Sequence, residues 1–241
     1  MAQIITGKIA LIITALIIGG GAAFAMMSQP QQQRTANAAP SGMEGVVVSD
    51  IGFLNYDMVL GDRDAPVEII EYAAISCSHC AHFHSDVMPD LKKKYIDTGK
   101  VKLVYRNFIF NDPFDVYAST LTRCVSEENF FPTVKTFFDY QNVWHKHEQL
   151  PQVFETGGRD AVIKFAQDEV TRIAGMSGIS PAEAKSCFEN EGVINYLLQI
   201  RQEAVEKHGV NSTPTLIVNG RKIAGHEMAD IDRAIAEALK P

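Results

Sequence analysis

Cations are in short supply in this 241-residue chain: Lys and Arg number 22 against 29 Asp and Glu, a formal net charge of −7. So acidic a balance is poorly suited to tracking a polyphosphate backbone, which needs clustered cations, and argues against a nucleic-acid-binding role. Long hydrophobic runs are equally scarce, and a mean hydropathy of −0.03 excludes a polytopic membrane protein. The chain has no glycine-rich phosphate loop, no Ser–His–acid pattern, no nucleotide fingerprint and no internal repeat. Tryptophan occurs once and cysteine only four times, at 77, 80, 124 and 187. What remains, 46% apolar and 21% charged residues, is the composition of a folded protein of one or two domains. One cysteine pair is tight and the other far apart, which points to two different uses of sulfur.

The N-terminus holds the one sustained apolar stretch. Lys8 is the single charged side chain among the first 33 residues, and Ile9 to Met27 is uncharged for 19 positions. As a helix that length just crosses a hydrocarbon core. It also fits a secretory signal, with Ala23-Phe24-Ala25 as an A-x-A cleavage site and Ala36-Asn37-Ala38 as a poorer one. Residues 1–27 are therefore read as a signal peptide or an uncleaved anchor, and 28–45, rich in Gln, Pro and Ala, as a linker. Either reading puts the rest, 46–241, outside the cytoplasm.

Val67–Tyr72, entered through Asp64-Ala65-Pro66, reads as a buried strand. A helical stripe follows from Cys80 to Tyr95, with Pro89 expected to kink it. Val101–Phe108 is a second strand, so the unit is strand–helix–strand, with parallel strands and a right-handed crossover. From Asp115 to Ile179 the pattern is helical, in runs Val116–Cys124, Val134–Trp144 and Ala161–Ile173. Ser180-Pro181-Ala182-Glu183 is a capping box with proline at the first helical position, and Val193–His208 is a further helix. Thr215–Val218, Asn219-Gly220 and Arg221–Ile223 form a hairpin signal, and Ala229–Leu239 a closing helix. Strands at both ends with helices between give the expected class: an α/β fold interrupted by an all-helical insertion.

Cys77-Ser78-His79-Cys80 follows the first strand directly and opens the helix. Unpaired amides and the helix dipole favour a thiolate at Cys77, while Cys80 lies one turn inside, shielded. The first sulfur exchanges and the second resolves. His79, when protonated, would stabilise the thiolate further. A competing use is a metal site built from Cys77, Cys80 and a histidine, for which His84, one turn after Cys80, is the best placed. His82 and His84 otherwise read as polar residues at the edge of the core. Phe130, Phe131, Phe137, Phe138 and Trp144 read as helix core, and His145 and His147 as a solvated helix end.

The Cys77–Cys80 motif, with Gly61-Asp62-Arg63-Asp64-Ala65-Pro66-Val67, Tyr95-Ile96-Asp97-Thr98-Gly99-Lys100-Val101, Tyr105-Arg106-Asn107-Phe108 and Thr213-Pro214-Thr215, resembles the DsbA-like thiol:disulfide oxidoreductases of the thioredoxin superfamily. The likeness covers roughly Leu60 to Leu239, and the inserted block of about 112–190 suits the same family. The resemblance implies a thioredoxin fold in which Pro214 is cis and packs against the Cys77–Cys80 disulfide. It implies that Thr213 offers backbone groups to a bound client and that Glu71, six residues before Cys77, moves the proton of the inner cysteine. It assigns Arg106 a structural role. It implies a periplasmic enzyme that donates its disulfide to reduced or unfolded exported clients. A quinone-linked inner-membrane partner would reoxidise it, with no metal or organic cofactor.

Two departures bear on direction. His79 is typical of the oxidases, whereas Thr213 before the proline is commoner in isomerases and some alphaproteobacterial members; residues 73–76 are also smaller than usual. The short stretch after the apolar segment leaves no room for the dimerisation domain of such isomerases, so a monomeric oxidase is favoured over a reductase or isomerase. Only a Cys124–Cys187 pairing leaves the motif free to cycle, and in an oxidising compartment that pair reads as a structural staple, the alternative being two buried free thiols. Closing a loop of that length is worth about 4 kcal/mol in the chain-entropy treatment.

Overall fold

The computed structural model describes residues 52–240, so the signal or anchor segment 1–27 and the linker 28–45 lie outside the described residues. Five strands form one mixed sheet: β1 (Met58–Leu60), β2 (Val67–Ala73), β3 (Val101–Asn107), β4 (Thr215–Val218) and β5 (Arg221–Lys222), in the order β1-β3-β2-β4-β5. β2 and β3 pair in parallel, with Val67 opposite Val101 and Ala73 opposite Asn107, as a strand–helix–strand unit requires. β1 and β4 run antiparallel to their neighbours. β4 turns into β5 through Asn219 and Gly220, both at positive φ (42° and 79°), the backbone a tight two-residue hairpin demands.

Between β2 and β3 runs one long helical rod. Its segments α1 (Ser78–His82) and α2 (Met88–Leu91) alternate with π-helical turns at Phe83–Val87 and Lys92–Ile96. The expected irregularity at Pro89 thus takes the form of widened turns on either side, which absorb the missing amide and the ring. α3 (Pro113–Arg123), α4 (Glu127–Asp139), α5 (Gln141–Trp144), α6 (Leu150–Ala174) and α7 (Pro181–Phe188) make the insertion. α8 (Glu191–His208) leads back to the sheet and α9 (Met228–Ala238) closes it. The domain is a thioredoxin-like α/β fold carrying a helical insertion. No helix among the described residues is long and apolar enough to cross a membrane.

The two-residue period of β2 assigns its faces. Val67 and Ile69 point into a cluster with Phe83, Leu91, Ile231 and Ile235, so α1–α2 and α9 cover that face. Ile70 and Tyr72 join Val104, Ile200, Ala204 and Ile217 under α8 on the other. The third and largest cluster, with Phe114, Phe130, Phe137, Trp144, Val170 and Leu197, is the core of the insertion. Truncating a fully buried Leu, Ile or Phe of these clusters, such as Leu91, Ile69 or Phe137, to alanine costs about 2–5 kcal/mol.

Several local details depart from expectation. The Val134–Trp144 run is two helices, because Tyr140 leaves helical geometry (φ −107°, ψ 17°). α6 starts earlier than its apolar run and bends at Gly158, where φ is 68°. The edge strand β1 was not expected at all. Gly61 explains part of the motif it opens: φ is 101°, and a Cβ there would lie 2.7 Å from Ile96 Cγ2. Ser180 and Glu183 form the anticipated capping box, with Pro181 at the first helical position.

Candidate active site

β2 ends at Ala73, and the buried residues Ala74 and Ile75 carry the chain over the sheet edge to Cys77. Cys77 is the N-cap of α1, with extended geometry (φ −78°, ψ 120°) and no side-chain capping bond. Its carbonyl accepts the amide of Ala81 at 3.0 Å, and its own amide donates to Ala74 O at 3.1 Å. The backbone thus places a half-buried Sγ among the free amides of the first helical turn.

Two clamps from the insertion hold this loop. Asp115 on α3 is fully buried, and its carboxylate accepts the amides of Ser76 (2.9 Å) and Phe110 (2.7 Å). Burial pushes its pKa up to about 6 against those two amides, which pull it down. Gln141 on α5 donates from Nε2 to Ile75 O at 2.8 Å, also in the interior. Neither residue was anticipated, because each meets the loop only through tertiary structure.

The two thiols have opposite acidity. The pKa of Cys77 is lowered to about 5, first by the hydrogen bond from the Cys80 thiol. Burial opposes this shift, and Thr213 and the amides of Cys80 and His79 add to it. Cys80 is wholly buried, and its pKa is raised well above the ordinary thiol range. Burial is the main cause, followed by the hydrogen bond to Cys77 and the negative charges of Cys77 and Glu71. Both cysteines are free thiols in the structure.

Thr213-Pro214 is a cis peptide leading into β4 and lies across from the dithiol. The Cys77 thiol donates to Thr213 O at 3.3 Å. The Thr213 hydroxyl is buried with no hydrogen-bond partner in this form. Thr213 is among the groups that hold the Cys77 pKa down.

His79 is exposed, and its contribution to the thiolate is its backbone amide. Its ring faces His226 in an edge contact at 6.3 Å, a neighbour that sequence reasoning did not find. Glu71 lies on the central strand with no solvent exposure, and His84 Nε2 sits 3.0 Å from both carboxylate oxygens. His84 is therefore a partner of the buried acid rather than an edge-of-core polar residue. Packing against Phe138 at 4.6 Å and Tyr105 at 6.0 Å holds the imidazole in place. Tyr105 is the third buried group here, its hydroxyl without a partner and its pKa raised well above normal by burial and by Glu71.

The competing metal arrangement of Cys77, Cys80 and His84 is not assembled: His84 is committed to Glu71, and His82 to Asp86 at 3.0 Å. Arg106 forms a two-pronged pair with Asp57 (2.7 and 2.6 Å) and donates to Tyr72 at 2.9 Å, away from the thiols. Cys124 and Cys187 are joined in a disulfide, Cα to Cα 6.1 Å, fastening the end of α3 to α7.

A thioredoxin family model matches residues 54–237. A Rickettsia typhi protein named as a protein-disulfide oxidoreductase is 31% identical over 186 residues, which span 77% of this chain and 63% of that protein. This chain thus covers less than two thirds of that relative's length. Disulfide bond formation protein D of Bacillus subtilis is 27% identical over 186 residues, 76% of this chain and 77% of that one. The crystal structure of Wolbachia pipientis alpha-DsbA1 superposes with a TM-score of 0.62 at 27% identity, covering 77% of this chain and 94% of the other.

Proposed function

Because the chain belongs to the DsbA-like thiol:disulfide oxidoreductases of the thioredoxin superfamily, we propose that it forms disulfide bonds in exported client proteins by donating the Cys77–Cys80 disulfide. The observation that carries this reading is the asymmetric dithiol: Cys77 half-exposed at the start of α1, 3.3 Å from the Thr213 carbonyl beside the cis-proline, and Cys80 wholly buried one turn on, a placement that splits the acidity of the two thiols.

The chemistry follows from that split. A client thiolate attacks Cys77 Sγ of the oxidised site, a new S–S bond forms, and the Cys77–Cys80 bond breaks with its electron pair on Cys80. Cys80, buried and reluctant to stay charged, takes a proton; the Glu71–His84 pair beside it is the candidate donor. The client's second thiolate then attacks the client sulfur of the mixed disulfide, and Cys77 leaves as the thiolate. The client loses two electrons and the enzyme gains them.

At neutral pH a thiol at about 5 is ionised about a hundredfold over its protonated form, which makes Cys77 a good leaving group and stabilises the reduced enzyme. Both effects drive client oxidation. Thr213, with one bond to Cys77 and its main chain beside the dithiol, would present a client strand to it. Reoxidation falls to a quinone-linked membrane partner, and an extracytoplasmic, periplasmic setting fits both that partner and the Cys124–Cys187 staple.

The test is to mix the oxidised full chain with a reduced two-cysteine client peptide and to measure its equilibrium with glutathione. Stoichiometric client oxidation, and an enzyme that stays reduced against glutathione disulfide, are expected. A couple at or below that of glutathione would assign reduction or isomerisation instead.

A further inference from the structure

His145 and His147, expected at a solvated helix end, have a different setting. His145 follows α5 and is mostly covered, its ring packed against Phe114 (5.7 Å) and Trp144 (5.6 Å). Its Nε2 lies 2.8 Å from Asp112 Oδ2, and His147 Nδ1 lies 3.4 Å from the same oxygen. Asp112 is itself fixed: it is the N-cap of α3, and Oδ1 accepts the amide of Phe114 at 2.9 Å. One ligand-capable atom from each residue falls within 4.8 Å of the other two, the one such cluster of three or more among the described residues.

From this geometry we propose that Asp112, His145 and His147 bind a divalent transition-metal ion of the zinc class, with water completing the coordination. Two imidazole nitrogens and one carboxylate oxygen are a donor set this ion takes readily. Ligand atoms about 2.0–2.1 Å from a tetrahedral ion stand about 3.3 Å apart, so small movements of His145 and His147 around Asp112 suffice. Two of the three ligands are already held, Asp112 by the Phe114 amide and His145 by its aromatic neighbours. The cation that most threatens the site is turned away: Lys146, between the two histidines, pairs with Glu169 at 2.8 Å. The side chain of His147 is 66% exposed, which leaves an entry path and the open coordination position. One turn along α3, Asp115 braces Ser76, so the ion would sit at the same helix end that supports the active-site loop. The inference rests on no part of the redox reading.

The experiment is equilibrium dialysis of the chelator-stripped full chain against zinc chloride, performed on the oxidised protein so that the Cys77 and Cys80 thiolates cannot act as ligands. One zinc ion per chain at micromolar free metal is expected. Binding should weaken at least about tenfold in both His147→Ala and Asp112→Asn. The first removes an exposed side chain and the second keeps an N-cap acceptor, so both should retain the wild-type circular dichroism. No zinc uptake by the wild-type protein at tens of micromolar would overturn the proposal. So would uptake that survives both substitutions, since that would place the ion elsewhere.

Discussion

The molecule holds two cysteine pairs whose surroundings differ in one physical respect. Cys124 and Cys187 come from two helices of the insertion, 63 positions apart in the chain, and form a cross-link between α3 and α7. Cys77 and Cys80 share one helical turn, yet their surroundings push the two in opposite directions. The Cys80 thiol, then Thr213 and the amides of Cys80 and His79, favour charge on Cys77, while burial, Cys77 itself and Glu71 oppose it on Cys80. A disulfide becomes a reagent when its two sulfurs differ in acidity and access; joining two packed helices makes it a brace.

The comparison breaks first at the thiols. Cys77→Ala should reduce client oxidation to the uncatalysed rate, while the Cys124→Ala/Cys187→Ala double variant should keep it within about twofold, since the brace touches none of the groups that tune Cys77. The double variant should instead lose about 2–4 kcal/mol of unfolding free energy in urea titrations. Equal loss of activity in both would mean that the two pairs are not separate devices.

Redox state and pH sharpen the contrast. In the reduced protein the Cys77 pKa is depressed to about 5 from an ordinary unfolded value of about 8.5. Its contribution to stability is therefore fully present above about 8.5 and is lost as pH falls through about 5. The oxidised protein has neither thiol, so the excess stability of the reduced form should shrink from about pH 8 to pH 4, as read by paired melts; above about 8.5 the raised Cys80 pKa works in the opposite direction, because only the unfolded chain ionises it there. Asp115, raised to about 6, titrates in the same window with the opposite sign, but it is present in both forms and cancels in their difference. An excess that grows on acidification would contradict the assignment.

The smallest expected effect is at Thr213. Thr213→Val keeps the carbonyl facing Cys77 and removes only the hydroxyl, so the Cys77 pKa should rise, with client oxidation slowed less than by loss of either thiol. An unchanged value would remove the hydroxyl from the account.

Much of this could be read in advance, for identifiable reasons. β2, β3 and the β4–β5 hairpin announce themselves through short apolar runs and the Asn219-Gly220 turn. The chemistry at Cys77 could be read because it depends on contiguous residues at one helix start. β1 could not: three residues carry no period, and they form a strand only by pairing with β3. Arg123 was hidden for the opposite reason, as a cation in an apolar stripe normally faces water. It is fully buried because Asn107 and the Tyr56 carbonyl accept its hydrogen bonds while Phe130 and Tyr196 flank its guanidinium, four groups brought together only by the fold. The Glu71–His84 pair escaped for a related reason: the helical period sets His84 on the face of Cys80, but only the packing of that helix on the sheet brings it to the strand residue Glu71.

The central claim is that the fold makes Cys77 a stabilised thiolate, and one titration addresses it. Ultraviolet thiolate absorbance of the reduced full chain is followed against pH, with Cys77→Ala as the control. The account predicts a midpoint near 5 that vanishes in the control. A midpoint near the ordinary cysteine value of about 8.5 would contradict it.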